Sequence, residues 1–158
     1  LARVLGGRVL PHRQGLVEIG FSWVEPTEAG RPYLPKPMTM YQWHREGFDL
    51  PRTATLLARG GRFENQLFSY NETAIGVQFH AEVTREMLAR WSSIDRGGKR
   101  LTLPGAQSRN VQLQIYDRVY PEIRAWQEHF LAKWCTLCHP RSETDSPPES
   151  LPLSASAD

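Results

Sequence analysis

The apolar residues along the chain follow two different spacings. From Leu16 to Val24 they come as Leu16, Val17, Ile19, Phe21, Trp23 and Val24, close to period two and ended by Pro26. That spacing predicts a strand with one buried face. Val9-Leu10, Met38 to Trp43, Ala54 to Ala58, Phe63 to Tyr70 and Ala74 to Phe79 are further strand candidates, the last being the most apolar. Late in the chain the spacing changes. Val111, Ile115, Val119, Ile123, Trp126, Phe130 and Trp134 recur every three or four residues, which predicts a helix from about 108 to 134 with one packing face. Pro121 falls inside it and should kink or restart it. A short helix is predicted after Thr84, a capping residue, with Met87, Leu88 and Trp91 on one face.

Breaker residues set the remaining boundaries. Gly6-Gly7 stop what reads as the tail of a helix, because glycine accepts the left-handed conformation of helix ends. Three prolines between Arg31 and Pro37 mark a loop, and residues 94–107 form a Gly/Pro-containing connector. From Pro140 onward Ser, Pro and acids dominate, so 135–158 is expected to be a linker and a disordered acidic tail. Strands in succession with few helices between them predict an α/β chain with an antiparallel or mixed section of sheet.

Composition adds little to this and excludes more. At 158 residues, 40% apolar and 23% charged, the chain has the make-up of one globular domain. It contains no apolar run long enough for a membrane helix. The net charge of +2 hides a split, with −3 in residues 141–158 and +5 before them. The bases are scattered and form no run, so nothing favours a nucleic-acid surface. Two cysteines cannot make a disulfide framework, and a reducing cytoplasm is the expected setting.

The candidate chemistry sits at Gly76-Val77-Gln78-Phe79-His80-Ala81-Glu82, an apolar strand delivering a histidine with a carboxylate two residues on. An imidazole titrates near neutrality, and a carboxylate on one ring nitrogen fixes which nitrogen acts as base. Met38 to Trp43 delivers a second histidine, His44. Cys135-Thr136-Leu137-Cys138-His139 reads as a haem-attachment pattern, with two incidental thiols at a helix end as the alternative. With His80-Ala81-Glu82 it also supplies most of a zinc deaminase signature, but Trp134 stands where proline is needed. Neither haem nor metal is expected.

Several of these segments together resemble class I glutamine amidotransferase domains. Gln78-Phe79-His80-Ala81-Glu82 resembles their Q-F-H-x-E segment, which usually carries Pro at the position of Ala81. Glu18-Ile19-Gly20 resembles their E-I-G strand, and Trp43-His44 with Glu46 their W-H-x-D turn. Leu1 to Val9 resembles the helix and strand after the nucleophile. The Trp43-His44 turn and Leu103-Pro104-Gly105-Ala106-Gln107 are similar to the stand-alone GMP synthase-like members.

The resemblance covers residues 1–134. It implies the C-terminal part of a doubly wound, flavodoxin-like domain with a mixed sheet. The implied activity is hydrolysis of the glutamine side-chain amide, with ammonia released, possible transfer to a synthase partner and no cofactor. His80 and Glu82 would be the last two members of a Cys-His-Glu triad, and Trp43 and His44 would line the glutamine pocket. Cys135 and Cys138 follow the His-Glu pair and lack the glycine-flanked strand–turn–helix elbow of the family's nucleophile. The isolated chain is therefore expected to be inactive. A non-catalytic relic or binding protein and a γ-glutamyl peptide hydrolase are the alternatives.

Overall fold

The computed structural model describes residues 1–71, 73–93 and 97–138. Its elements are β1 (Val9–Pro11), β2 (Glu18–Pro26), β3 (Met38–His44), β4 (Glu46–Phe48), β5 (Ala54–Gly60), β6 (Asn65–Tyr70), β7 (Ala74–Val77), α1 (Arg85–Trp91), a 3-10 turn (Gly98–Thr102) and α2 (Arg109–Cys138). Residues 1–7 form one helical turn. The Gly6 amide donates to the Arg3 carbonyl and the Gly7 amide to that of Ala2. Gly6 sits at φ +85°, the left-handed helix ending its sequence predicts.

Five strands form one antiparallel sheet in the order β3-β2-β5-β6-β7, and β1 pairs with β4 in a separate two-stranded ribbon. β2 meets β5 only through Val24–Pro26, so the sheet splits beside Ile19–Phe21. The segment before α2 fills that split. Ile19 and Ala106 form a parallel bridge, and the Gln107 side chain bonds both backbone groups of Phe21 at 2.8 Å. Register shifts in β5 after Leu56 add local twist. The sheet curls, and the segment after β7 reaches back to β3, where the His80 amide donates to the Tyr41 carbonyl at 2.8 Å.

The core lies inside this curl and under the helices. Phe21, Met40, Tyr41, Leu57, Leu67, Phe79, Leu88, Ile123, Trp126 and Phe130 belong to one buried cluster. Thr84 caps α1 by accepting from the Met87 amide, and Leu88 of α1 is fully buried. Arg85 and Asp117 tie α1 to α2 at 3.0 Å. Trp126 Nε1 donates to the Tyr33 carbonyl, fastening the proline-rich loop to α2.

Four sequence expectations need correction. The pattern has Ala74–Phe79 as the most apolar strand, yet β7 stops at Val77 and Val77 is exposed, because β7 is an edge strand. α2 is continuous through Pro121 to Cys138. The single bond Pro121 cannot donate is outweighed by burial of Ile123, Trp126 and Phe130. In the first turns of α2 the buried face carries Gln112 and Tyr116, while Val111 is exposed. Tyr41 recruits Gln112 through a hydroxyl bond of 2.9 Å, and Phe21 packs on Tyr116. In β2, Trp23 is exposed although it is in phase with Ile19 and Phe21. The change of face coincides with the change of neighbour from Gln107 to β5. The expected tail beyond 138 lies outside the described residues.

Burial also sets the response of the fold to alkali. The Tyr41 hydroxyl is fully buried, which raises its pKa well above the ordinary tyrosine value. Burial, with Tyr120 stacked beside it, pushes Tyr116 up to about 12. Both folded values exceed the unfolded value of about 10. Their contribution is therefore complete below pH ~10 and lost as pH rises through the folded values. The melting temperature should hold from neutral pH to about pH 9.5 and fall beyond pH ~10. Tyr41→Phe should lower stability near neutrality by about 1 kcal/mol and flatten the alkaline fall, which melts across pH would record.

Candidate active site

His80 is held on three sides. Its neighbours Phe79 and Ala81 are both buried, so the backbone here cannot turn over without exposing Phe79, which packs on Trp126. The His80 amide is tied to β3. Its Nδ1 lies 2.7 Å from Glu82 Oε1, and its ring meets Trp91 edge to face at 5.2 Å. With the proton on Nδ1 donated to Glu82, Nε2 carries the lone pair and can act as a base. No hydrogen bond engages Nε2 among the described residues. The side chain is about one-third exposed, at 33%, which leaves it reachable from solvent.

The bond from His80 holds the Glu82 carboxyl below the usual carboxylate value, partly offset by burial. A depressed carboxylate contributes stability above its unfolded value and loses it as pH falls through the folded one. Glu82 is half exposed, so this contribution is small. Its contact with Nδ1 fixes the orientation of the His80 ring.

His44 is placed differently. Its Nε2 lies 3.0 Å from Gln42 Oε1 and 3.2 Å from Glu18 Oε2, and its Nδ1 faces the Glu46 carbonyl at 3.0 Å. Glu18, Gln42 and Gln66 are almost completely buried. Gln42 donates to Gln66, and Gln66 donates to Glu18 and to the Phe63 carbonyl. On the far side, the Gln78 side chain donates to the same Glu46 carbonyl that His44 faces. The E-I-G strand, the W-H-x-E turn and the Q-F-H segment are thus joined in one polar relay from Glu18 to Gln78. Its members carry no unpaired buried atom among the described residues, as a buried polar cluster requires.

Beside this relay lies an open cavity of about 680 Å³, lined by Trp43, His44, Glu46, Gln78 and apolar residues of β2, β6 and β7. The two cysteines are elsewhere. Cys138 Sγ lies 3.8 Å from the Thr73 carbonyl, at the start of β7, whereas His80 follows its far end. The three residue steps of β7 alone span roughly 10 Å. Cys138 and His80 therefore lie toward opposite ends of β7. The described residues contain no group of three side chains able to hold a metal ion.

Comparison with known proteins gives this geometry its context. No family model matches the chain. The chain is similar to γ-glutamyl peptidase 5 of Arabidopsis thaliana, 33% identical over 104 residues, which cover 61% of this chain and 40% of that protein. The crystal structure of a glutamine amidotransferase from Thermotoga maritima superposes with a TM-score of 0.73 at 29% identity, over 85% of this chain and 57% of that one. A glutamine amidotransferase from Methylobacillus flagellatus gives 0.76 at 25% identity, over 87% and 58%. The fold is similar to that of these glutamine amidotransferases. The chain spans less than three-fifths of the length of these solved structures and two-fifths of the curated relative. Among the described residues no helix is long and apolar enough to cross a membrane.

The residues that sequence reasoning passed over are glutamines. Gln42 stands between two aromatic residues in Tyr41-Gln42-Trp43, and Gln66 precedes two apolar residues in Gln66-Leu67-Phe68. A polar side chain beside an apolar run is the signal of a buried polar contact. Trp91, whose spacing marks it as a packing residue of α1, also contacts His80.

Proposed function

We propose that this chain supplies the His-Glu half of a Cys-His-Glu amidase acting on the glutamine side-chain amide. The observation that carries the reading is the 2.7 Å bond from His80 Nδ1 to Glu82, within a fold similar to glutamine amidotransferases. In this reading His80 Nε2 takes the proton of a cysteine thiol as the thiolate attacks the amide carbon. It then returns that proton to the departing ammonia. Glu82 keeps the proton on Nδ1 and stabilises the imidazolium. Neither Cys135 nor Cys138 is the nucleophile, so the thiol comes from residues other than 1–158.

Trp43 and His44, which line the cavity, are the proposed contacts for glutamine. A GMP synthase-like role, with ammonia passed to a synthase partner in the cytoplasm and no nucleic acid involved, completes the proposal. The γ-glutamyl peptidase relative favours one second reading, hydrolysis of γ-glutamyl peptides. The scissile amide hangs from the same γ-carbonyl, and only the leaving amine differs.

The test joins a segment carrying a G-x-C-x-G-x-Q elbow ahead of Leu1 and compares it with the unextended chain. Glutamine and a γ-glutamyl dipeptide are the two substrates. Ammonia or amine release is expected from the extended protein alone. His80→Ala should lower it about 100- to 10,000-fold and Glu82→Gln by less. Release by chain 1–158, unaffected by His80→Ala, would overturn the proposal.

A further inference from the structure

The last turn of α2 holds two thiols for which the amide chemistry has no use. Cys135 and Cys138 are both free, the first exposed and the second partly exposed. Three residues apart on a helix, their Cα atoms lie about 5 Å from one another. That is inside the roughly 4.4–6.8 Å range a disulfide spans. The same turn grips the sheet. Trp134 Nε1 donates to the Thr73 carbonyl at 2.7 Å, and the Cys138 thiol approaches that oxygen at 3.8 Å. Thr73 immediately precedes β7, the strand that leads to Gln78 and His80.

We propose that Cys135 and Cys138 form a thiol–disulfide redox site whose oxidation loosens the hold of α2 on Thr73. The co-reactant is a small-molecule disulfide of the glutathione type. The thiolate of the more exposed Cys135 attacks one of its sulfurs. The external S–S bond breaks, and one small thiol leaves with a proton. Cys138 then attacks the Cys135 sulfur of the mixed disulfide and expels the second small thiol. Two protein thiols are oxidised to one disulfide, and one external disulfide is reduced to two thiols.

Two features set the character of this site. The carbonyl end of a helix disfavours a thiolate, so exchange is slow and relies on the nearness of the second thiol. A bridge within an exposed helical turn belongs to the labile, reversible class of disulfides. Once bridged, the Cys138 sulfur has no proton to offer Thr73. The closing ring also draws in the turn that carries Trp134. The inference is independent of the amidase reading, because neither thiol nor Thr73 belongs to the proposed site.

The test incubates reduced chain 1–158 with graded oxidised glutathione, blocks residual thiols and digests with trypsin. Both cysteines fall in the peptide 134–141 between Lys133 and Arg141. The expected product is that peptide lighter by two hydrogens, with both blocking sites lost together and no disulfide between chains. Cys138→Ser should stop the reaction at a glutathione adduct on Cys135. Trp134 emission should shift on bridging and return with dithiothreitol. A stable adduct on the unmutated chain, or disulfide-linked dimers, would overturn the redox site. A complete bridge with unchanged Trp134 emission would overturn its effect on Thr73. Far-UV circular dichroism of Cys138→Ser verifies that the variant is folded.

Discussion

Glu18→Ala should destabilise the fold by about 3 kcal/mol, while Glu18→Gln should cost about 1 kcal/mol. The carboxylate is 2% exposed, and its Oε2 accepts from Gln66 Nε2 at 3.1 Å and lies 3.2 Å from His44 Nε2. Removing it deletes two polar contacts to one buried carboxylate oxygen, each worth about 1.5–3 kcal/mol. It also leaves a hole the size of the lost side chain, which adds to the cost. Loss of a desolvated charge offsets part of this. His44 keeps Gln42, and Gln66 keeps the Phe63 carbonyl, so the damage stops short of full disconnection. Glutamine retains an oxygen at the Oε2 position and gives up only the charge.

Denaturant midpoints would rank the three proteins. A second readout separates relay from packing. If Glu18 acts only as filler, Glu18→Leu should rescue Glu18→Ala, because the cavity is refilled. If the relay matters, Glu18→Leu should remain as unstable as Glu18→Ala. Its Gln78 side-chain amide resonances should also shift, although Gln78 lies at the other end of the network.

Much of this arrangement was legible in the sequence because period two and period 3.6 report directly on burial. β2, β3, β5, β6 and both helices emerge close to their observed positions, and Thr84 caps α1 as its hydroxyl suggests. His80 and Glu82 were legible as a pair because only Ala81 separates them and the strand before them is plain. What could not be read is long-range. β4 is three residues long and exists only because β1 lies opposite it. The face of α2 depends on Tyr41, 71 residues away from Gln112. The curl that brings the segment after β7 back to β3 is a property of the whole sheet. The short motifs E-I-G, W-H-x-E and L-P-G-A-Q looked separate along the chain. In three dimensions they are adjacent pieces of one hydrogen-bonded structure, and that accounts for their occurrence together.

Gln107→Ala should be the most damaging of the polar substitutions, costing about 2–5 kcal/mol. The side-chain amide of Gln107 behaves as an extra strand residue. Its Oε1 accepts from the Phe21 amide and its Nε2 donates to the Phe21 carbonyl, both at 2.8 Å, on the edge of β2 that β5 leaves unpaired at this point. Truncation orphans two partly buried backbone groups, each worth about 1–3 kcal/mol when unsatisfied. Gln107→Glu keeps the shape and distinguishes hydrogen bonding from packing. One carboxylate oxygen still accepts from the Phe21 amide, but the other faces the Phe21 carbonyl and repels it. Protonation turns that oxygen into a donor, so the folded state holds the proton more tightly than the unfolded chain. The recovered stability should be present below pH ~4 and lost as pH rises from there. Gly20 makes the arrangement possible. It sits at φ +116°, and a Cβ there would lie 2.8 Å from the Cβ of Gln107 and closer still to its amide. Gly20→Ala should therefore destabilise through both backbone strain and collision with Gln107. Removing Gln107 relieves the collision and leaves the strain, so the double variant Gly20→Ala/Gln107→Ala should lose less than the sum of the two single losses. Strict additivity in that cycle would mean that glycine at position 20 serves the backbone alone and that the two motifs are not coupled.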